Sequence, residues 1–188
     1  MSTESNDSAG QEPELPSLVL GRPDSMSDED LLKFVEGLAK ALRDTPKGGA
    51  DEAIQIRADV FDGMIEQARA DWPNECGGLL AGHSNLVTSR YPLRNTADFK
   101  TNSFVHNTQE LLGAYRDIRE RGLEVIAYYH SHPDAPAQPS WADVEWNPYA
   151  NLPQIIISIS LTAEPSVKAF RLYNDGHFEE LPCERTPN

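Results

Sequence analysis

The run Leu123-Glu124-Val125-Ile126-Ala127-Tyr128-Tyr129-His130-Ser131-His132-Pro133 decides how this chain folds and what chemistry it can carry. Its first half is β-branched and aromatic with no breaker, which predicts a buried strand running into two histidines. Side chains two apart on a strand share a face, roughly 6.6 Å apart along the backbone. His130 and His132 can therefore converge on one ion while Ser131 faces away, and Pro133 ends the strand's pairing just after the second histidine. Asp143 completes a three-ligand set that leaves a fourth position for water, the open coordination that separates a catalytic zinc from a structural one.

A hydrolytic centre of this kind also needs a base. Glu75, just before Cys76-Gly77-Gly78-Leu79-Leu80-Ala81-Gly82, is the candidate, since a carboxylate near the metal can take a proton from water and hand it to a leaving amine. Gly77 and Gly78 would let backbone approach the site closely, or mark a bulge. Ser140 could donate a hydrogen bond to the oxyanion formed at an attacked carbonyl. Ser140-Trp141-Ala142-Asp143 is also a capping box, and the two roles are compatible because a ligand can sit in a first helical turn.

Outward from these residues, the pattern predicts an α/β domain with a mixed central sheet. Ile54-Gln55-Ile56 alternates as a strand, and Asp59 is expected to cap a helix with Val60, Met64, Ile65 and Ala68 inward, stopped by Pro73. Strands are predicted at Leu86 to Leu93 and at Ser103 to Val105. Asn107-Thr108-Gln109-Glu110 caps a helix that faces Leu111, Leu112, Tyr115 and Ile118 inward and ends at Gly122. Gln154 to Leu161 reads as a fully buried strand, and Val167 to Tyr173 and Phe178 to Leu181 as a hairpin turned at Asn174-Asp175-Gly176.

Residues 1–26 are acidic and poor in large apolar side chains, so they are expected to be a disordered arm. Residues 27–50 combine an amphipathic helix (Leu31, Phe34, Val35, Leu38, Leu42) with a Pro-Gly linker. The catalytic domain is expected to span residues 51–183, with 184–188 as a tail. A lone helix must bury its apolar stripe, which points to packing on the main domain or to a homodimer contact. A net charge of -14 over 188 residues argues against binding nucleic acid or anionic membrane. No apolar run reaches transmembrane length and the N-terminus lacks the pattern of a signal peptide, so a cytoplasmic location is the expectation. Two cysteines, Cys76 and Cys183, cannot form a disulfide framework.

Glu75, His130-Ser131-His132-Pro133 and Pro139-Ser140-Trp141-Ala142-Asp143 together resemble the JAMM, or MPN-plus, metalloprotease motif: an upstream Glu, His-x-His-Pro, seven residues between the second His and a Ser, and an Asp three after the Ser. The likeness runs from about Ile54 to Leu181. It implies one zinc ion held by His130, His132 and Asp143 with a catalytic water as fourth ligand, Glu75 as general base and Ser140 steadying the tetrahedral intermediate. It also implies an MPN, cytidine deaminase-like core, in which helices flank a curved mixed sheet. Short segments between the motif parts resemble the compact prokaryotic branch, which includes the CysO-cysteine peptidases. The substrate so implied is a small ubiquitin-like or sulfur-carrier protein, cut after a Gly-Gly tail.

Two other readings fit parts of the sequence. An MPN-type domain can act as a non-catalytic scaffold, although such domains typically lack members of the metal set and none is missing here. A Cys76-His132 thiol hydrolase is the other, but free cysteine in a buried strand behaves as a small hydrophobe, and the dyad leaves Glu75, His130 and Asp143 unexplained. His83, His106 and His177 are expected to be solvated surface groups. Trp141, Trp146 and Tyr149 could line a groove for an extended tail or pack on the apolar strand.

Overall fold

A computed structural model describes residues 53–145, 147, 152–159, 164–173 and 175–188. The acidic arm, the amphipathic helix with its proposed dimer contact, Trp146 and Tyr149 lie outside the described residues. The chain runs β1 (Ile54–Arg57), α1 (Ala58–Asp71), β2 (Gly77–His83), β3 (Leu86–Leu93), α2 (Thr108–Glu120), β4 (Glu124–His132), α3 (Trp141–Glu145), β5 (Gln154–Ser158), β6 (Ser166–Leu172), β7 (Phe178–Leu181) and β8 (Cys183–Thr186). The strands form one mixed sheet in the order β7-β6-β5-β4-β2-β3-β1-β8. Its two end strands, β7 and β8, are separated in sequence by Pro182 alone, so the sheet curls until its edges nearly meet. The fold is the mixed α/β arrangement expected.

The histidine strand β4 lies at the centre, antiparallel to β2 and parallel to β5. Every residue of β4 after Glu124 is buried, because helices cover both faces. One face carries Ile56, Leu80, Ala127, Tyr129, Ile155 and Ile157 against Val60, Met64 and Ala68 of α1. The other carries Leu79, Ala81, Val125 and Tyr128 against Leu111, Ala114 and Ile118 of α2. Each helix buries a stripe at helical spacing, with the predicted Ile65, Leu112 and Tyr115 only half-buried and Ala114 inward instead. Helix α2 starts with Asn107 Oδ1 accepting from the Glu110 amide at 3.1 Å. It closes in a Schellman pattern, with Leu123 N to Ile118 O at 2.9 Å, Gly122 N to Arg119 O at 3.0 Å and Gly122 at φ 68°.

The structure corrects four expectations. Arg57, not Asp59, holds the N-cap position of α1; Asp59 sits in the first turn, where its carboxylate pairs with Arg57 at 2.6 Å. Ser103 to Val105 is not a strand but part of an irregular loop, joined to the end of β3 by one isolated bridge between Asn95 and His106. The domain does not stop at Cys183: residues Cys183 to Thr186 pair in parallel with β1, and Arg185 bridges to Asp62 of α1 at 2.6 Å. His106 is buried rather than solvated, and burial pulls its imidazole down to about 4.

Candidate metal centre

Side-chain alternation along β4 sets the site. The register Gly77↔His130 and Gly78↔Tyr129 puts His130 and His132 on one face of the sheet and Tyr129 and Ser131 on the other. The Ser131 amide donates to Cys76 O at 2.8 Å, so the same alternation along β2 places Glu75 on the histidine face and Cys76 on the opposite one. Ser131, fully buried, accepts the Cys76 amide on its Oγ at 2.9 Å and so locks the entry to β2 beside the site. The glycine paired with the first histidine is required: a Cβ on Gly77 would lie 2.6 Å from the Tyr129 carbonyl oxygen and 3.0 Å from the Phe104 ring.

After β4 the chain turns back through Pro133 to Pro139, and α3 delivers Asp143 from above. Ser140 and Asp143 form the reciprocal capping pair, with Ser140 N to Asp143 Oδ2 at 2.7 Å and Asp143 N to Ser140 Oγ at 3.2 Å. Val144 packs on Ala137, Ile156, Phe170 and Leu172, which fixes the short helix on the sheet. His130 Nε2 and His132 Nε2 lie 3.1 Å apart, His130 Nε2 is 3.1 Å from Asp143 Oδ1, and His132 Nε2 is 3.4 Å from Asp143 Oδ2.

These three residues form the one group among the described residues with ligand atoms all within 4.8 Å of one another. The set fits zinc. Tetrahedral bonds of about 2.05 Å separate ligand atoms by about 3.3 Å, a spacing the three contacts bracket. The outer ring nitrogen of His132 faces Pro136 O at 3.0 Å; donating there as Nδ1–H leaves Nε2 with its lone pair toward the site. His130 Nδ1 is buried with no hydrogen-bond partner among the described residues.

The electrostatics follow from crowding charge away from water. Burial lowers the affinity of His132 for a proton, but the Asp143 carboxylate, the Pro136 carbonyl and Glu75 outweigh it and the imidazole is raised overall. Burial pushes Asp143 up, yet hydrogen bonds from His130, His132 and Ser140 hold it far below the usual carboxylate range. Glu75 goes the other way: burial raises it to about 6, with the histidines opposing and Asp143 assisting. It is a carboxylate that can exchange a proton near neutral pH. Burial lifts the Cys76 thiol to about 11 within the α1-side core, against the thiolate a nucleophile needs.

The structure thus brings together all five residues singled out from sequence: His130, His132 and Asp143 in mutual contact, Ser140 bonded to Asp143, and Glu75 coupled to them electrostatically. It sets Cys76 apart. Two contributors had no sequence signal of their own. Pro136 acts through a backbone carbonyl, which any residue supplies, and Asn95 reads in sequence as an ordinary turn residue. Trp141 projects into solvent at the start of α3.

A family model described as prokaryotic homologs of the JAB domain matches residues 57–173. The chain is 31% identical over 108 residues to the desampylase of Haloferax volcanii, covering 53% of this chain and 78% of that protein. It is 27% identical over 136 residues to the CysO-cysteine peptidase of Mycobacterium bovis, covering 71% and 92%. Among solved structures, a protein of Desulfitobacterium hafniense determined in solution superposes with a TM-score of 0.64 at 30% identity, over 71% of this chain and 93% of its own. A family match spanning most of the domain, on a chain that brings His130, His132 and Asp143 together as a group that could hold a metal ion, makes this protein a member of the prokaryotic branch of the JAB-domain (JAMM/MPN) family.

Proposed function

We propose that this protein is a zinc-dependent peptidase that hydrolyses an amide or isopeptide bond after the C-terminal Gly-Gly tail of a small ubiquitin-like or sulfur-carrier protein. The observation that carries the reading is the convergence of His130 Nε2, His132 Nε2 and an Asp143 carboxylate at tetrahedral spacing, with Glu75 on the same sheet face. The names of the two relatives, a desampylase and a CysO-cysteine peptidase, support the substrate class. Zinc held by the three side chains supplies Lewis acidity toward a carbonyl and lowers the pKa of water to about 7. Glu75 accepts a proton from the attacking water and delivers it to the leaving amine, a transfer suited to a carboxylate that titrates near 6. Ser140 Oγ accepts from the Asp143 amide while its hydroxyl faces the Asp143 carboxylate, and rotation of that hydroxyl away from Asp143 would let it donate to a developing oxyanion. Pro136 holds the His132 ring and Ser140 the Asp143 carboxylate, which limits the reorganisation needed when substrate arrives.

The test is cleavage of a ubiquitin-like protein extended beyond its Gly-Gly terminus, run with a metal chelator and separately with a thiol alkylating agent. Activity lost on chelation, restored by zinc and untouched by alkylation is the expected result. Cleavage that resists chelation but falls on alkylation would install Cys76 in place of the metal.

A further inference from the structure

The loop between β3 and α2 is fastened to itself and to the strand that carries the proposed base. Its stem is closed by Thr96 N to Val105 O at 2.7 Å, Asn107 N to Arg94 O at 3.1 Å and the Asn95–His106 bridge. At the centre sits the side chain of Asn95, with its amide fully used. Oδ1 accepts from Ala97 N at 3.0 Å and Val105 N at 3.3 Å; Nδ2 donates to Ser103 O at 2.8 Å and to Glu75 O at 2.9 Å. The same loop takes the other end of that residue, since the Glu75 amide donates to Lys100 O at 2.7 Å. Both backbone polar groups of Glu75 are therefore held by this loop, and only one of those bonds comes from a side chain.

We infer that Asn95 is a positioning residue for Glu75: its carboxamide fixes the backbone from which the proton-transferring carboxylate projects. The physical case rests on where Glu75 stands. It precedes the first residue of β2, so it lacks the ladder bonds that hold Gly77 and Gly78 against β4, and the loop supplies what the sheet does not. A carboxylate that must reach both water and a leaving amine is sensitive to displacement, and misplacement of about 1 Å can cost roughly 100-fold in rate. Asn suits the place because one planar group accepts from two loop amides on one side and donates to two carbonyls on the other. The inference rests on the general-base role proposed for Glu75.

The test is a double-mutant cycle in the full-length, zinc-loaded protein, using the extended ubiquitin-like substrate described above. Asn95→Asp keeps the acceptor for Ala97 and Val105 and removes the donor to Glu75; Asn95→Ala removes both without adding charge. Activity is expressed per folded, zinc-loaded molecule, with folding followed by circular dichroism and zinc by elemental analysis. Expected are a kcat lowered about 10- to 100-fold, KM changed less than about 3-fold, unchanged zinc content, and no further loss when either change is added to Glu75→Gln. Wild-type kcat in both variants, or an equal loss in the Glu75→Gln background, overturns the inference while leaving the base in place. Two variants that fail to fold overturn it as well, because Asn95 then serves the fold alone. Full activity in Glu75→Gln itself defeats the underlying general-base role, a separate result.

Discussion

The carboxylate of Glu75 is held where water is scarce, and this makes it both useful and costly. Burial raises it from the usual glutamate value of 4.5 to about 6, so the folded state binds its proton more tightly than the unfolded chain does. The sign follows directly. The contribution to stability is fully present below pH 4.5 and is lost as pH rises through 6, where the folded protein must carry a buried anion. In zinc-free protein, Glu75→Gln is therefore expected to raise unfolding free energy by about 1–2 kcal/mol near pH 8 and by almost nothing near pH 4, measured by urea denaturation in chelator. A Glu75→Gln variant no more stable than wild type at the higher pH would show that the carboxylate is not penalised by burial. The same substitution is expected to remove activity, so one residue would trade stability for chemistry. Asn95 belongs at this scale too: four bonds to one amide are invisible in a sequence where Leu-Arg-Asn-Thr looks like any loop.

Two strands and a short helix build the centre, and the tolerance of each element differs. Strand β2 runs so close to its neighbours that a Cβ on Gly77 would sit 2.6 Å from Tyr129 O, a backbone atom that yields only if β2 and β4 separate. Gly77→Ala is expected to cost about 1–3 kcal/mol in urea unfolding and to weaken zinc binding by about 10-fold or more, because the backbone that must move is shared with His130. Unchanged zinc affinity in a folded Gly77→Ala variant would show that the pair β2–β4 can relax without disturbing the histidine. Helix α3 is only five residues and has no buried residue of its own, so Asp143 depends on the Ser140 cap and on Val144 packing rather than on intrinsic helix stability. The predicted strand at Ser103 to Val105 failed for a related reason: its apolar side chains serve a loop whose backbone groups are satisfied by Asn95 and Thr96, not by a neighbouring strand.

At the scale of the molecule, the sheet is a curled ribbon whose ends are joined by one proline. Strand β8 pairs with β1 in parallel from Ile54↔Cys183 to Arg57↔Thr186, and the amide of Ile54 reaches Pro182 O at 2.9 Å. Ending the chain at Pro182 would leave β1 as a bare edge and break the Arg185–Asp62 bridge. A loss of about 2–4 kcal/mol in unfolding free energy, with self-association visible by light scattering, is expected. A truncated chain as stable and monodisperse as the full one would mean that the edge is covered by other means. No described helix is long and apolar enough to cross a membrane.

The sequence by itself determined the centre of this protein. A breaker-free strand ending in His-x-His, a small-residue strand after Glu75 and a Ser-x-x-Asp start to a helix encode local geometry, and alternation at period two needs no tertiary knowledge to place His130 and His132 together. The helices at Ala58–Asp71 and Thr108–Glu120 were legible for the same reason, their apolar spacing being a local code. Only the tertiary structure decided the rest. Alternation alone separates Cys76 from Glu75, but the pairing of β2 with β4 decides that Cys76 enters the α1-side core and Glu75 takes the face of His130 and His132. His106 was buried, β8 was recruited and Asn95 was turned onto Glu75 by partners far away in the chain or by the closing of a loop. Long-range pairing and loop closure depend on which surfaces meet after the chain collapses, and no window of residues carries that information alone.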